Sequence, residues 1–398
     1  MDIKVHPGKL NGSIQAVASK SQAHRILICA AFSDRPTTVV CPVTNQDIGA
    51  TVDCLNAIGA SIARTENGYH VSPVKVTPQS AVLDCNESGS TLRFLLPIVC
   101  ALGIESTILM SGRLPYRPLS PLWEELERMG CTLRRPTTNT IHVTGKLKCG
   151  HYHIAGNVSS QFISGLLFAL SMLDGESFID ITGTLESKPY VEMTQHVLNL
   201  FSVDTSHYNI RGCTPFRSPG MIIVEGDWSN AAFFLVANGL GSNVLISNLD
   251  PTSPQGDRDV VSILAADDNI PTISAADIPD LIPILSVYFA AKQGAIFTDI
   301  ARLRLKESDR VATVMNLLQN LGINVSADDN TMWVNGGRFT GGIVDANGDH
   351  RIAMTAAIAA TVADGPVTIL GAECVAKSYP SFWDEFRRLG GQYEQYIW

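Results

Sequence analysis

Two kinds of predicted helix alternate along the chain. The first kind consists almost entirely of apolar or small residues, as in the segment STLRFLLPIVCAL that starts at Ser90. A helix that is apolar on every side is typical of a buried position. The six predicted helices of this kind begin near Lys20, Gly89, Ser159, Ser229, Pro279 and His350.

The second kind of predicted helix is more polar, and several examples have one hydrophobic face. In one of them Leu119, Leu122 and Leu126 recur at helical spacing. Four of these helices stop at a glycine suited to a helix C-terminus, and a short strand-like segment follows. The six helices begin near Asp47, Arg117, Ser187, Asp257, Lys306 and Tyr379. The four glycines are Gly59, Gly130, Gly322 and Gly390.

The helix starts repeat at a fixed spacing. Within each pair the second helix begins 27–29 residues after the first, and successive pairs begin 69, 70, 70, 50 and 71 residues apart. This regularity predicts an α/β fold built from six strand–helix–strand–helix–strand units of about 70 residues. The fourth unit is shorter by about 20 residues, in LAADDNIPTISAADIP, where a strand pair expected after its second helix is missing.

Six units and 398 residues indicate two domains of three units each. The natural boundary lies near Val224–Asp227, just before the fourth unit. The first strand, IKVHP, precedes the first unit and could belong to either domain.

Composition excludes several classes of protein. No apolar run approaches the roughly 18 residues of a membrane span, and the N-terminus lacks the pattern of a signal peptide. The nine cysteines are scattered without a CxxC pair, which favours reduced thiols in the cytoplasm over a disulfide or zinc framework. A net charge of −9 argues against nucleic-acid binding. No metal-ligand spacing, phosphate-binding loop or dinucleotide motif is present, so we expect chemistry without metal or cofactor.

Basic residues cluster at the predicted helix starts. A helix N-terminus already carries partial positive charge, so lysine and arginine are unfavourable there unless an anion binds between them. If these N-termini face one cleft, the cleft is positive within an acidic protein and suits a substrate with several phosphate or carboxylate groups. The residues are Lys20, Arg25, Arg93, Arg117, Lys188, Lys306, Arg310, Arg351 and Lys377.

Individual motifs add hydroxyl, amide and carboxylate groups to this pattern. Ser21 and Arg25 share a helix face and could grip a phosphate or a diol, while VSSQF and SKPY place polar groups at two further helix starts. Capping alone explains one serine of VSSQF but not all three polar groups. Asp280 precedes an otherwise apolar helix, where it either caps the helix or takes part in acid–base chemistry. In LKESDR, Lys306, Glu307 and Arg310 share one turn.

At these residues the sequence resembles the 5-enolpyruvylshikimate-3-phosphate synthases, a family of enolpyruvyl transferases targeted by glyphosate. The resemblance spans nearly the whole chain, and the ordered set of motifs is far more specific than any single one. The motifs are SKSQAHR, ESGSTLRF, RLPYRP, VSSQF, SKPY, VEGDWSNAAFF, DIPD, RLKESDR, GDHRIAM and CVAKSYP. The resemblance implies two inside-out α/β barrel domains, residues 17–225 and residues 1–16 with 226–398, that close like a clamp on a central cleft.

The resemblance also implies an activity and its residues. A family member transfers the enolpyruvyl group of phosphoenolpyruvate to the 5-hydroxyl of shikimate-3-phosphate and releases phosphate, as a cytoplasmic, monomeric enzyme. The implied shikimate-3-phosphate ligands are Lys20, Ser21, Arg25, Ser159, Ser160, Gln161, Ser187, Tyr190, Asp280 and Lys306. The implied phosphoenolpyruvate ligands are Lys20, Gly89, Arg117, Gln161, Arg310, Arg351 and Lys377. The implied proton-transfer residues are Asp280, Glu307 and Lys20. Because Gly89 is not replaced by alanine, we expect sensitivity to glyphosate.

Three rival functions make different demands on the sequence. The sister transferase acting on UDP-N-acetylglucosamine lacks the VSSQF and SKPY motifs. A non-catalytic anion-binding repeat protein would lack Asp280, Glu307 or Lys20, and all three are present. An RNA-end cyclase shares a similar unit but needs a nucleotide-attachment histidine and a more basic surface.

Overall fold

The computed structural model describes residues 1–266 and 270–396 and divides into two compact units. The continuous unit is Ala18–Glu225, and the split unit joins Met1–Val17 to Gly226–Trp398. Each unit encloses its own hydrophobic core, so each has the internal packing expected of a domain.

The chain begins in the split unit with two strands and then passes into the continuous unit. The first strands are β1 Asp2–Val5 and β2 Asn11–Gln15. The helices of the continuous unit are α1 Lys20–Ala31, α2 Gln46–Ala57, α3 Gly89–Leu102, α4 Leu122–Arg128, α5 Ser160–Leu170 and α6 Lys188–Leu200. Its strands are β3 Thr37–Val40, β4 Ser61–Thr65, β5 Gly68–Ser72, β6 Ser80–Asp84, β7 Glu105–Leu109, β8 Cys131–Thr137, β9 Thr140–Gly145, β10 His151–Ala155, β11 Glu176–Thr182, β12 Asn209–Arg211 and β13 Met221–Ile223.

The chain then returns to the split unit. Its helices are α7 Trp228–Gly239, α8 Val260–Ala265, α9 Ile282–Ala290, α10 Arg310–Asn320, α11 His350–Ala360 and α12 Phe382–Arg388. Its remaining strands are β14 Asn243–Ser247, β15 Thr272–Ser274, β16 Gly294–Thr298, β17 Val325–Ala327, β18 Thr331–Asn335, β19 Gly342–Asp345, β20 Val367–Leu370 and β21 Tyr393–Tyr396. Among the described residues no helix combines the length and apolar character needed to cross a membrane.

The strands form six small sheets, one for each repeat. In four of them a parallel pair is extended by two antiparallel strands, and in three of these four the parallel pair brackets a buried helix. These four sheets have the orders β13-β3-β5-β4, β6-β7-β9-β8, β15-β16-β18-β17 and β19-β20-β1-β21. The third repeat has the shorter order β10-β11-β12. The N-terminal strand β1 completes the sheet of the last repeat, between β20 and β21, and so belongs to the split unit.

At the two points where the chain passes from one unit to the other, the last strand before the crossing pairs with a strand of a different repeat from the helix that follows it. Strand β2 leads directly into α1 but pairs in parallel with β14. Strand β13 leads into α7 but pairs in parallel with β3. Each unit is therefore completed by a strand that precedes, in sequence, a helix of the other unit.

The fourth repeat is the shortest, as the spacing predicted. Its sheet is the single pair β14-β2, and the described residues between α8 and β15 contain no hairpin. Part of the predicted short segment, residues 267–269, lies outside the described residues.

The six apolar helices are buried along almost their whole length, which confirms that prediction. In the continuous unit α3 and α5 pack closely, because a Cβ on Gly165 would lie 2.2 Å from the carbonyl oxygen of Arg93. This approach brings together the first turns of two helices that carry candidate residues. The helices concerned are α1, α3, α5, α7, α9 and α11.

Several of the more polar helices begin later than the sequence predicted. Short 3-10 turns at Leu114–Tyr116, Ala301–Leu305 and Ala372–Lys377 precede α4, α10 and α12. As a result Arg117, Lys306 and Lys377 lie at or just after these turns and not in a first helical turn. The four predicted terminal glycines all adopt positive φ two residues beyond a helix, which confirms their role.

Candidate active site

Arg25 is the central cation of the continuous unit. It points inward from α1, is only 2% exposed, and is held by three neutral acceptors. Its Nε donates to Thr194 Oγ1 at 2.7 Å, and its Nη atoms donate to the carbonyl oxygens of Ser21 (2.7 Å) and Tyr190 (2.9 Å). Burial lowers the pKa of Arg25 to about 10, so the group remains charged at neutral pH. None of these bonds cancels its charge.

Lys20 begins the same helix and has an acidic partner. Its Nζ lies 2.8 Å from Asp47 Oδ2, and both side chains are mostly buried. The preceding residue, Ser19, caps α1 through its hydroxyl. Asp47 was not among the predicted site residues, although it marked a predicted helix start at the repeat spacing.

Gly89 opens α3 beside two guanidinium groups. A Cβ at this position would lie 2.7 Å from Arg93 Nη1 and 2.8 Å from Arg117 Nη1. Arg93 also donates to Gln161 Oε1 at 3.1 Å, while Gln161 Nε2 donates to Ser90 Oγ at 3.0 Å. Three candidates, Gly89, Arg117 and Gln161, therefore share one neighbourhood, together with Arg93, which the sequence marked as a cation but not as a ligand.

The remaining candidates of this unit lie at helix starts. Ser159 caps α5 by accepting from the Gln161 N–H, and Ser160 is the first residue of that helix. Ser187, buried and in the left-handed conformation, precedes α6 without capping it. Tyr190, in the first turn of α6, contributes a carbonyl to Arg25.

We call Lys20, Arg25, Arg93 and Arg117, the four cations described above, the cation cluster.

Arg310 organises the candidates of the split unit. It is 1% exposed and begins α10, where it binds three carboxylates. Its Nε lies 2.9 Å from Asp349 Oδ2, Nη1 lies 2.5 Å from Asp280 Oδ1, and Nη2 lies 2.6 Å from Glu307 Oε2. Two of the five guanidinium hydrogens remain for other acceptors. Asp349, fully buried and the N-cap of α11, was not among the predicted site residues even though its motif was noted.

Asp280 is shared between two arginines. Arg351 Nη2 donates to its Oδ2 at 2.9 Å, opposite the bond from Arg310. Burial alone would raise the pKa of Asp280, but Arg351, Arg310 and Lys306 together hold it well below its ordinary value. Asp280 is therefore a carboxylate, and it does not cap α9 through its side chain. We call Asp280, Glu307, Asp349, Arg310 and Arg351 the carboxylate cluster.

Two lysines border this cluster. Burial lowers the pKa of Lys306 to about 8, although nearby Asp280 opposes the shift. Lys306 Nζ makes no hydrogen bond within the described parts of the chain, so its ammonium group is available to a ligand. Lys377 Nζ donates to the carbonyl oxygen of Gly348 at 3.0 Å, in the loop before α11.

One sequence-predicted cation has a simpler role. Lys188, at the start of α6, is exposed and pairs with Glu192 one turn later at 3.2 Å. A surface pair of this kind contributes little to binding or stability.

Comparison with known proteins identifies the family. Residues 5–386 match the sequence profile of EPSP synthase, described as 3-phosphoshikimate 1-carboxyvinyltransferase. The chain belongs to the EPSP synthase family. The resemblance inferred from the ordered motifs is thus confirmed, and the family is one of enolpyruvyl transferases.

Relatives in the EPSP synthase family cover the whole chain. The 3-phosphoshikimate 1-carboxyvinyltransferase of Clostridium beijerinckii is 36% identical over 430 aligned positions, covering 99% of both proteins. The enzyme of the same name from Clostridium botulinum is 37% identical over 426 positions, covering 99% of this chain and 98% of that protein. Every candidate motif lies within the matched length.

Solved structures confirm the α/β fold class. The EPSP synthase of Acinetobacter baumannii superposes with a TM-score of 0.80 at 24% identity, covering 99% of this chain and 100% of the other. The enolpyruvyl transferase NikO of Streptomyces tendae superposes with a TM-score of 0.75 at 17% identity, covering 99% of this chain and 98% of the other.

Proposed function

We propose that this chain is a 3-phosphoshikimate 1-carboxyvinyltransferase in which the cation cluster and the carboxylate cluster divide the work of binding and proton transfer. Membership of the EPSP synthase family supports the reaction. The observation that carries the division is a contrast between buried arginines: Arg25 is bonded to neutral acceptors in the continuous unit, whereas Arg310 and Arg351 are bonded to carboxylates in the split unit.

The reaction joins two anions by addition and elimination. The 5-hydroxyl oxygen of shikimate-3-phosphate bonds to C2 of phosphoenolpyruvate, the hydroxyl proton passes to a base, and C3 gains a proton. The tetrahedral intermediate then expels phosphate and loses a proton from C3, which restores the enol ether. The enzyme must therefore hold several anionic groups and move protons to and from two atoms.

The cation cluster suits the binding task. Arg25 donates hydrogen bonds to a hydroxyl and two carbonyls, which carry no charge, so its positive charge can attract a phosphate or a carboxylate. In this proposal Ser21, Arg25, Ser159, Ser160, Gln161, Ser187 and Tyr190 bind shikimate-3-phosphate. Gly89, Arg117 and Gln161 hold phosphoenolpyruvate, and Lys20 serves both substrates.

The carboxylate cluster suits the proton-transfer task, but only once a substrate has arrived. A general base works best when its pKa lies near the operating pH, and the two arginines hold the pKa of Asp280 far below that. An anionic substrate that draws Arg351 or Lys306 towards itself reduces this stabilisation and raises the proton affinity of Asp280. Substrate binding thereby activates the base.

The other split-unit candidates have related roles. Arg310, Arg351 and Lys377 are the proposed phosphoenolpyruvate ligands, and Asp280 and Lys306 contact shikimate-3-phosphate. Glu307, whose carboxylate is bonded to Arg310, and Lys20 are the further proton-transfer groups. We also propose that the enzyme is cytoplasmic and that it is a monomer. Light scattering of the purified protein tests the monomeric state.

Phosphate release tests the proposed function. Purified protein should release inorganic phosphate only when both shikimate-3-phosphate and phosphoenolpyruvate are present. Release with UDP-N-acetylglucosamine in place of shikimate-3-phosphate would assign the chain to the sister reaction. No release with either acceptor would overturn the proposal.

A further inference from the structure

A chain of buried polar side chains crosses the continuous unit from α1 to the N-terminus of α3. His24 Nδ1 lies 2.7 Å from Thr51 Oγ1, in α2, and Thr51 Oγ1 lies 2.6 Å from Thr91 Oγ1, in α3. Thr91 Oγ1 donates to Ser88 Oγ at 2.7 Å. All four residues are at most 1% exposed, so the chain is shielded from solvent.

The hydrogen bonds of this chain run in one direction. Burial lowers the pKa of His24 to about 3, so the ring is neutral and carries a single N–H group. Nε2 has no hydrogen-bond partner among the described residues, and a buried N–H group without an acceptor is rare, so the proton lies on Nδ1. The Nδ1–H group therefore donates to Thr51, the Thr51 hydroxyl donates to Thr91, and Thr91 donates to Ser88.

Ser88 joins this chain to the candidate active site. It is the N-cap of α3, and its hydroxyl oxygen accepts from the Thr91 N–H at 3.3 Å as well as from the Thr91 hydroxyl. The next residue, Gly89, opens the helix close to two guanidinium groups, those of Arg93 and Arg117. Because a Cβ on Gly89 would lie within 2.8 Å of both groups, a small displacement of the N-cap changes how the first N–H groups of α3 and the two cations face a shared ligand.

The residue after His24 makes a similar link on another side of α1. Arg25 Nε donates to Thr194 Oγ1 at 2.7 Å, in α6, and Thr194 Oγ1 donates to Ser164 Oγ at 2.7 Å, in α5. Buried hydroxyl groups thus connect α1 with both other apolar helices of the unit. Arg25 is itself a candidate ligand, whereas His24 is fully buried and acts on a ligand only through the hydroxyl chain.

We propose that His24 is a positioning residue for phosphoenolpyruvate, which anchors the N-cap of α3 through the hydroxyl chain and so fixes Gly89 beside its two guanidinium neighbours. The inference deepens the proposed function and rests on it for the identity of the ligand. A histidine that only fills space in the core would affect stability without favouring one substrate, and the experiments below use that difference.

The first test measures the KM for each substrate in Thr51→Val, which keeps the shape of the side chain and removes the hydroxyl group between His24 and Thr91. The KM for phosphoenolpyruvate should rise roughly threefold to tenfold, the effect of one hydrogen bond of ordinary net strength. The KM for shikimate-3-phosphate and kcat should change far less.

Thr37→Val is the matched control for this substitution. Thr37, in β3, is as buried as Thr51, and its hydroxyl group is hydrogen-bonded to that of Ser218 at 2.7 Å. Both valine variants should lower the melting temperature, but only Thr51→Val should change the KM for phosphoenolpyruvate. An equal rise of this KM in the two variants would overturn the proposal.

The second test changes His24 itself. In His24→Asn the amide N–H can replace the Nδ1–H group, so the KM for phosphoenolpyruvate should remain close to that of wild type. His24→Leu keeps an apolar side chain of similar size without a donor and should raise this KM as Thr51→Val does. An unchanged KM in His24→Leu and Thr51→Val would overturn the proposal, and so would an equal rise in His24→Asn and His24→Leu.

The direction of the chain can be measured without substrate. Long-range ¹⁵N–¹H correlation spectra of protein with ¹⁵N-labelled histidine distinguish the two neutral tautomers, and the signals of His24 are those absent from His24→Asn. We expect a proton on Nδ1 and none on Nε2 between about pH 5 and about pH 8. A proton on Nε2 would overturn the proposal. If wild-type protein releases no phosphate, the proposed function fails, and these spectra still decide whether His24 donates to the chain.

Discussion

Arg25 and Arg310 are both almost fully buried, yet their hydrogen-bond partners are of opposite kinds. Arg25 is bonded to a hydroxyl and two carbonyl oxygens, whereas Arg310 is bonded to three carboxylates. Burial accordingly lowers the pKa of Arg25, while for Arg310 the carboxylates of Asp349, Glu307 and Asp280 outweigh burial and raise it. The charge of Arg25 is not balanced by these partners, whereas the charge of Arg310 is balanced by the carboxylates it binds.

Under the proposed function, the difference allows one repeated unit to support both anion binding and proton transfer. Both arginines extend from the first two turns of a helix, where cations oppose the helix dipole. In the proposed function, the neutral acceptors around Arg25 leave its charge to bind an anion, while the carboxylates around Arg310 take part in proton transfer, with a proton affinity that depends on the surrounding cations. The predictions below separate these two roles.

Asp280→Asn should have the largest effect. Loss of the carboxylate removes the proposed base, so kcat should fall roughly 10²–10⁴-fold. Because an amide still accepts a hydrogen bond, the KM for shikimate-3-phosphate should change far less than kcat. Steady-state phosphate release measures both quantities, with the exposed Asp384→Asn as the control. An equal loss in KM with unchanged kcat would contradict a proton-transfer role.

Arg310→Met should have the largest effect on stability. It leaves three carboxylates without their shared cation, one of them fully buried, and removal of one partner from a buried ion pair costs about 3–5 kcal/mol. Arg25→Met leaves only neutral acceptors and should cost less. The midpoints of denaturant unfolding compare the two variants, and a greater loss in Arg25→Met would reverse the proposed contrast.

Gly89→Ala should affect phosphoenolpyruvate selectively. The added methyl group meets the guanidinium ends of Arg93 and Arg117, which can move without disturbing the backbone. We expect the KM for phosphoenolpyruvate to rise by roughly tenfold, the effect of about 1.4 kcal/mol, with a nearly unchanged melting temperature. Gly49→Ala, a helical glycine with open space around its Cβ position, is the matched control. An unchanged KM would place phosphoenolpyruvate elsewhere.

Lys306→Arg should have the smallest effect, a change in how the KM for shikimate-3-phosphate depends on pH. Burial lowers its pKa to about 8, so the free enzyme loses this charge as pH rises through 8, and the affinity for shikimate-3-phosphate should fall by a few fold. Lys306→Arg keeps the charge and should flatten the rise in KM between pH 7 and 9. A rise of the same size in the variant would assign the titration to another group.

The sequence predicts the repeats and the buried helices well, because both depend on local pattern. All-apolar segments such as α3 have only one favourable environment, and glycines such as Gly59 report a helix end directly. The pairing of β2 with β14 and of β13 with β3 has no signal in the local sequence, because it depends on the sheet that each strand joins in the folded chain.

The sequence places the candidate residues but does not give their partners. Spacing brings Lys306, Glu307 and Arg310 to one turn, yet the link from Arg310 to Asp349 and Asp280 joins segments that only the packing of α9, α10 and α11 brings together. Helical periodicity also does not predict the 3-10 turns before α4, α10 and α12.

The most direct test of the two roles compares binding with turnover in Arg25→Gln and Asp280→Asn. Calorimetric titration with shikimate-3-phosphate should give a dissociation constant at least roughly tenfold higher for Arg25→Gln, the loss of a hydrogen bond to a charged group, and only slightly higher for Asp280→Asn. At saturating substrate, kcat should fall mainly in Asp280→Asn. If both variants lose the same property, or if the pattern is reversed, the division between the cation cluster and the carboxylate cluster is contradicted.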